Sequence, residues 1–180
     1  MAATVKICGL RDPEEARLVC CCRPDYVGLV FAPGKRMVDA RKAREILRAV
    51  PGDIETVGVM VNMNLERAGS LREELGLDIL QLHGDETVEY MEALGGRLWK
   101  TLDPQADAET VCRVLDVAER VLMDSGSPQE RGGTGKVFDW GLLAGFGWPD
   151  RLVLAGGLTP ANIRLFISFN ILVPPPPENC

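Results

Sequence analysis

The sequence predicts an α/β protein of (β/α)8-barrel type whose eighth strand and helix are missing, and two observations carry that expectation. Short apolar runs alternate with amphipathic stretches, and several runs are apolar almost throughout, as strands are when helices cover both faces of a parallel sheet. The runs end at residues 8, 31, 61, 82, 101, 124 and 155, intervals of 19 to 31 residues that suit successive βα units. A doubly wound sheet shares the alternation, and periodicity alone does not separate the two. Seven units are present where a closed barrel has eight.

In chain order, the first strand is Thr4–Cys8, turned at once by Gly9, and a helix over Asp12–Arg23 follows. Asp12 suits the N-cap, Pro13 the first helical position, and Glu15 completes a capping box. Strands over Asp25–Phe31, Thr56–Val61 and Asp78–Leu82 alternate with helices over Asp39–Val50, Asn64–Leu75 and Glu86–Leu94. Next come strand Arg97–Thr101, helix Asp107–Ala118, strand Arg120–Asp124, helix Asp139–Phe146 and strand Leu152–Ala155. Asp39, Asn64, Asp107 and Asp139 stand where N-caps belong, and Gly95 follows one helix end. A further helix begins at Thr159-Pro160 and then dissolves. Phe166–Val173 is an almost continuous apolar run, and Pro174–Pro177 cannot extend a helix. The expected organisation is therefore a barrel-like domain over residues 1–163 and an atypical apolar, proline-rich tail over 164–180.

A chain of 180 residues, 46% apolar, can bury a sizeable core in one domain. Its net charge of −6 argues against generic nucleic-acid binding. No apolar run approaches the roughly 18 residues of a membrane span, and no signal peptide opens the chain. The expected location is the cytoplasm, where the six cysteines read as free thiols. Cys20, Cys21 and Cys22 fan around a helix and cannot converge on one metal. With a single histidine, a multi-histidine metal centre is excluded, and no metal is expected.

In a parallel barrel the carboxyl ends of the strands share one face, so the residues there are candidates together. They are Cys8, Arg36, Asn62, Gln81, His83, Lys100, Asp124 and the pair Gly156-Gly157. A thiol, a carboxylate, an arginine and a glycine pair could supply a base, an acid, an anion clamp and phosphate-binding backbone N–H groups. Each has a bland reading. Cys8 could be a small core residue, Asp124 a turn cap, His83 structural and Arg36 a solvated charge. Gly132-Gly133-Thr134-Gly135 is a flexible loop or an anion nest, and weak by itself. Gly156-Gly157-Leu158-Thr159-Pro160 is firmer, two glycines between an apolar strand and a Thr-Pro helix start.

Several blocks fall in the order found in phosphoribosylanthranilate isomerases, and the chain resembles that family from residue 4 to about 163. They are Lys6-Ile7-Cys8-Gly9, Asp25-Tyr26-Val27-Gly28-Leu29-Val30-Phe31, Val57-Gly58-Val59 and Gln81-Leu82-His83-Gly84-Asp85-Glu86. Leu122-Met123-Asp124-Ser125, Gly132-Gly133-Thr134-Gly135 with Phe138-Asp139-Trp140, and Leu154-Ala155-Gly156-Gly157-Leu158 continue the series. The resemblance implies a (β/α)8 barrel of tryptophan biosynthesis that converts N-(5-phosphoribosyl)anthranilate to 1-(2-carboxyphenylamino)-1-deoxyribulose 5-phosphate by an Amadori rearrangement. It implies no cofactor and no metal, a small phosphosugar substrate, no nucleic-acid or membrane partner, and a monomer or homodimer. It further implies Cys8 as general base and Asp124 as general acid, with Arg36 at the anthranilate end. Gln81 and His83 would line the pocket, and Gly156 and Gly157 would bind phosphate through backbone N–H groups.

After Ile163 the resemblance stops, and the family's eighth strand and phosphate-binding glycine/serine turn are not seen in the sequence. An unclosed barrel leaves open strand edges. The alternative to an active isomerase is thus an inactive remnant acting at most as a binding or interaction protein. Another phosphosugar barrel enzyme, such as an epimerase, fits the Cys8/Asp124 pair poorly.

Overall fold

The computed structural model describes residues 4–124 and 151–156, and the chain divides into two compact units, Met1–Leu98 and Trp99–Cys180. The first unit holds β1 (Lys6–Cys8), α1 (Pro13–Cys20), β2 (Tyr26–Val30), α2 (Ala40–Leu47), β3 (Glu55–Met60), α3 (Leu65–Leu75), β4 (Ile79–Leu82) and α4 (Val88–Leu94). The second holds β5, which begins at the boundary and spans Leu98–Leu102, then α5 (Ala108–Leu115), β6 (Arg120–Asp124) and β7 (Leu152–Ala155). The alternation predicted from the apolar rhythm is therefore present, and the expected strands and described helices are all there with ends moved by a few residues. The helix expected over Asp139–Phe146, the start at Thr159-Pro160 and the tail 164–180 lie outside the described residues.

All described pairings are parallel. β1 pairs with β2, β2 with β3 and β3 with β4, with Cys8 opposite Gly28, Gly28 opposite Val57 and Val59 opposite Gln81. In the second unit β5 pairs with β6 and β6 with β7, which places Asp124 opposite Ala155.

The helices start where short polar side chains can take up backbone N–H groups left without helical partners. Asp12 accepts from Glu15 N, Asp39 from Lys42 N, Asn64 from Glu66 N and Arg67 N, and Asp107 from Thr110 N. The amide of Thr110 holds the Asp107 carboxyl below its ordinary range, so this cap is present above that range and is lost in strong acid as the carboxylate protonates. One boundary departs from expectation. α4 begins at Val88 with Thr87 as its cap, and Glu86 lies outside the helix. α3 ends at Gly76, whose left-handed conformation (φ 64°) would strain any residue with a Cβ.

At the amino ends of the strands, an aspartate just before one strand takes backbone N–H groups of the strand before it. Asp25 Oδ2 accepts from Val5 N at 2.7 Å, and Asp78 Oδ2 accepts from Thr56 N at 2.8 Å and from Thr56 Oγ1 at 2.7 Å. Glu55 and Arg97 add a two-pronged ion pair at the same end. These contacts stabilise the end of the strands away from the candidate site.

The core of the first unit lies between sheet and helices. Val27, Val57, Ile79 and Leu80 from the strands are fully buried, as are Ala16, Ala43 and Ala68, one from each of the first three helices. A methyl side chain at those helix positions lets the backbone approach the sheet closely. In the second unit Val111, Val114 and Leu115 of α5 are buried, as are Val121, Leu122 and Met123 of β6. Arg151 there closes the carboxyl end of α5, donating to the carbonyls of Leu115 and Ala118 at 2.5 and 2.6 Å. Among the described cysteines Cys8, Cys20, Cys21 and Cys22 are free thiols. No described helix is long and apolar enough to cross a membrane.

Candidate active site at the carboxyl ends of the strands

Cys8 is the last residue of β1 and is half-buried. The chain leaves the strand through Gly9 (φ 89°), and the amides of Gly9 and Leu10 both donate to the carbonyl of Gly28, at 2.8 and 3.1 Å. Arg36, from the loop after β2, lies over this turn and donates through Nη1 to the carbonyl of Cys8 at 2.9 Å. The φ of Gly9 favours glycine, and a Cβ there would stand 2.5 Å from Arg36 Cδ and push that side chain aside. The structure thus brings Cys8 and Arg36 to one turn.

Side chains two apart on a strand share a face, and in-register parallel neighbours share it too. One face of the first unit therefore carries Lys6 and Cys8, Tyr26 and Gly28, Glu55, Val57 and Val59, and Ile79 and Gln81. Across this face Lys6 Nζ donates to Cys8 Sγ at 3.4 Å and also to Gln81 Oε1. In a flat sheet β1 and β4 would be about 14 Å apart, so side chains that meet directly report a concave, barrel-like curl. Gln81 is only 2% exposed, and its Nε2 lies 3.0 Å from His83 Nδ1. Because Oε1 accepts from the lysine, the amide Nε2 is the end turned to the His83 ring.

Burial lowers the Lys6 ammonium from the ordinary lysine range, and the charge and hydrogen bond of Cys8 oppose that shift. The Lys6 side chain thus sets a nitrogen donor directly beside the sulfur. Strand and motif spacing does not single out Lys6 or Gly28 as site residues. The signal for Lys6 was a cation two residues before a strand-end cysteine inside an otherwise apolar run.

The loops after β3 and β4 are held by Glu86, which is 8% exposed. Its Oε1 accepts from Asn62 N at 2.7 Å and its Oε2 from Gly84 N at 2.9 Å. Asn62, in a left-handed conformation (φ 50°), also exchanges side-chain and backbone hydrogen bonds with Asp85. The Gly84-Asp85-Glu86 part of the block after His83 is therefore a loop clamp. Glu86→Ala removes the acceptor of two backbone N–H groups and is expected to cost about 1–3 kcal/mol in chemical denaturation.

In the second unit Asp124 ends β6 and is half-buried. The neighbouring strand β7 passes into Gly156, which adopts φ 84°. Lys100 of β5 is 4% exposed. Gly157 lies outside the described residues. Among the described residues no group of three or more His, Cys, Asp or Glu could hold a metal ion.

Three comparisons bear on this arrangement. The family model described as N-(5'phosphoribosyl)anthranilate (PRA) isomerase matches residues 5–173. The N-(5'-phosphoribosyl)anthranilate isomerase of Thermoanaerobacter sp. (strain X514) is 38% identical over 162 residues, covering 89% of this chain and 79% of its own. Among solved structures, phosphoribosyl anthranilate isomerase from Thermotoga maritima matches with TM-score 0.79 and 33% identity, covering 96% of this chain and 84% of its own. A phosphoribosyl anthranilate isomerase in complex with reduced 1-(o-carboxyphenylamino)-1-deoxyribulose 5-phosphate matches with TM-score 0.76 and 30% identity, covering 96% of this chain and 85% of its own. With its parallel βα units and the cysteine and aspartate ending β1 and β6, the chain belongs to the phosphoribosylanthranilate isomerase family, (β/α)8-type isomerases of tryptophan biosynthesis.

Proposed function

We propose that this chain isomerises N-(5-phosphoribosyl)anthranilate to 1-(2-carboxyphenylamino)-1-deoxyribulose 5-phosphate, with Cys8 as general base and Asp124 as general acid. The observation that carries the reading is the setting of Cys8, a strand-end thiol with a lysine ammonium donating to its sulfur. Asp124 likewise ends its own parallel strand, the position at which (β/α)8 enzymes carry their chemistry.

The reaction needs one proton given and one taken. Asp124, protonated, gives its proton to the ribose ring oxygen; the C–O bond breaks and the anilino nitrogen supplies electrons to form a Schiff base. Cys8, as thiolate, removes the proton from the adjacent carbon, and the electron pair moves to give an enolamine. Protonation of the former imine carbon and loss of the hydroxyl proton yield the ketone, so atoms and charge balance with no cofactor. Arg36 is the cation at the mouth of β1 and suits the anthranilate carboxylate. Gln81 and His83 would line the substrate pocket. The backbone N–H groups of Gly156 and Gly157 would receive the phosphate. A reduced strand-end thiol and a phosphorylated small substrate fit work in the cytoplasm.

Complementation tests this. A tryptophan auxotroph lacking the isomerase is expected to grow when it carries this chain. Failure beside rescue by the same chain given a full-length family ending would show that residues 164–180 do not support activity.

A further inference from the structure

The sulfur of Cys8 sits in a space with three built walls. The first is Lys6, whose Nζ donates to Cys8 Sγ at 3.4 Å. The second is Gln81, two strands beyond β2 and buried, whose Oε1 accepts from the same Nζ and so fixes where the ammonium sits. The third is Gly28, directly opposite Cys8 on β2. A Cβ at Gly28 would stand 2.6 Å from Cys8 Sγ and 3.1 Å from Lys6 Cε, so any other residue would displace both groups. The lysine stem and the sulfur occupy the volume that a side chain on β2 would fill.

We propose that Lys6 is the positioning residue for Cys8: its ammonium, seated by Gln81 and given room by Gly28, holds the sulfur as an anion aimed to receive the substrate proton. This rests on the reading of Cys8 as general base. The other charged or titratable groups of this unit around the pair are few. Tyr26 stands beside Lys6 on β2, and Glu55 is taken up by Arg97 at the far end of the strands. His83 is reached through Gln81, and Arg36 binds the Cys8 carbonyl. Among the described residues, Lys6 is the cation that donates a hydrogen bond to the sulfur.

The test is the pH profile of Cys8 alkylation by iodoacetamide, read peptide by peptide by mass spectrometry on the full chain. Exposed Cys21 and Cys22 serve as references within the same molecules. Wild type is compared with Lys6→Met and with Lys6→Gln, which keeps an uncharged donor, each checked for folding by circular dichroism. The expected result is a Cys8 labelling midpoint below that of Cys21 in wild type. In both variants it rises, and labelling at about pH 6.5 falls about tenfold or more against the references. Should Lys6→Met fail to fold, Lys6→Gln carries the test. An unchanged midpoint in the folded variants would overturn the proposal and leave Lys6 as a strut between β1 and β4. Turnover by Cys8→Ala, measured alongside, separates the two ideas. Full activity there would sink the role of Cys8 as base, whereas an inactive Cys8→Ala with unmoved labelling would sink the role of Lys6 alone.

Discussion

Replacing Cys8 by serine is expected to lower kcat by about 10²–10⁴-fold, the usual contribution of one general base, with circular dichroism unchanged. Serine keeps the shape of the side chain, so the space opposite Gly28 stays filled and the hydrogen bond from Lys6 has an oxygen to receive it. What is lost is the readily formed anion, because a hydroxyl remains protonated at neutral pH. Cys8→Ala removes the group altogether and is expected to fall at least as far. A serine variant with near-native kcat would show that the sulfur is not the base.

Asp124→Asn is expected to reduce kcat by a similar factor while leaving KM close to wild type. Asparagine preserves the size of the side chain at the end of β6 and can still accept and donate hydrogen bonds, but it cannot release a proton to the ring oxygen. The variant therefore separates proton donation from packing. Ring opening is the step it should block, so a pre-opened Schiff-base analogue should be processed with a smaller loss than the natural substrate. Equal losses on both would place Asp124 in binding.

What could be read in advance followed the range of the physics. Helix starts were legible because caps are local. Asp12, Asp39, Asn64 and Asp107 each accept from an amide two or three residues on, a distance visible in the sequence. The amphipathic pattern over Glu86–Leu94 puts Glu86 inside the helix. The structure instead gives that start to Thr87 and spends Glu86 on amides of two loops, one of them 24 residues away in the chain. The strand-end position of Cys8 was legible from its apolar run and Gly9. The Lys6–Gln81 contact spans 75 residues and depends on sheet curvature, which no local pattern encodes. Gly28 looked like one glycine in an apolar strand, and only register shows that it faces Cys8.

The measurement that tests the account most directly is steady-state conversion of N-(5-phosphoribosyl)anthranilate by the purified chain, run beside Cys8→Ala and Asp124→Asn under identical conditions. The account predicts turnover by the wild-type chain and a loss of about 10²-fold or more in each variant, all three folded. A wild-type chain that turns over no faster than its two variants would contradict it.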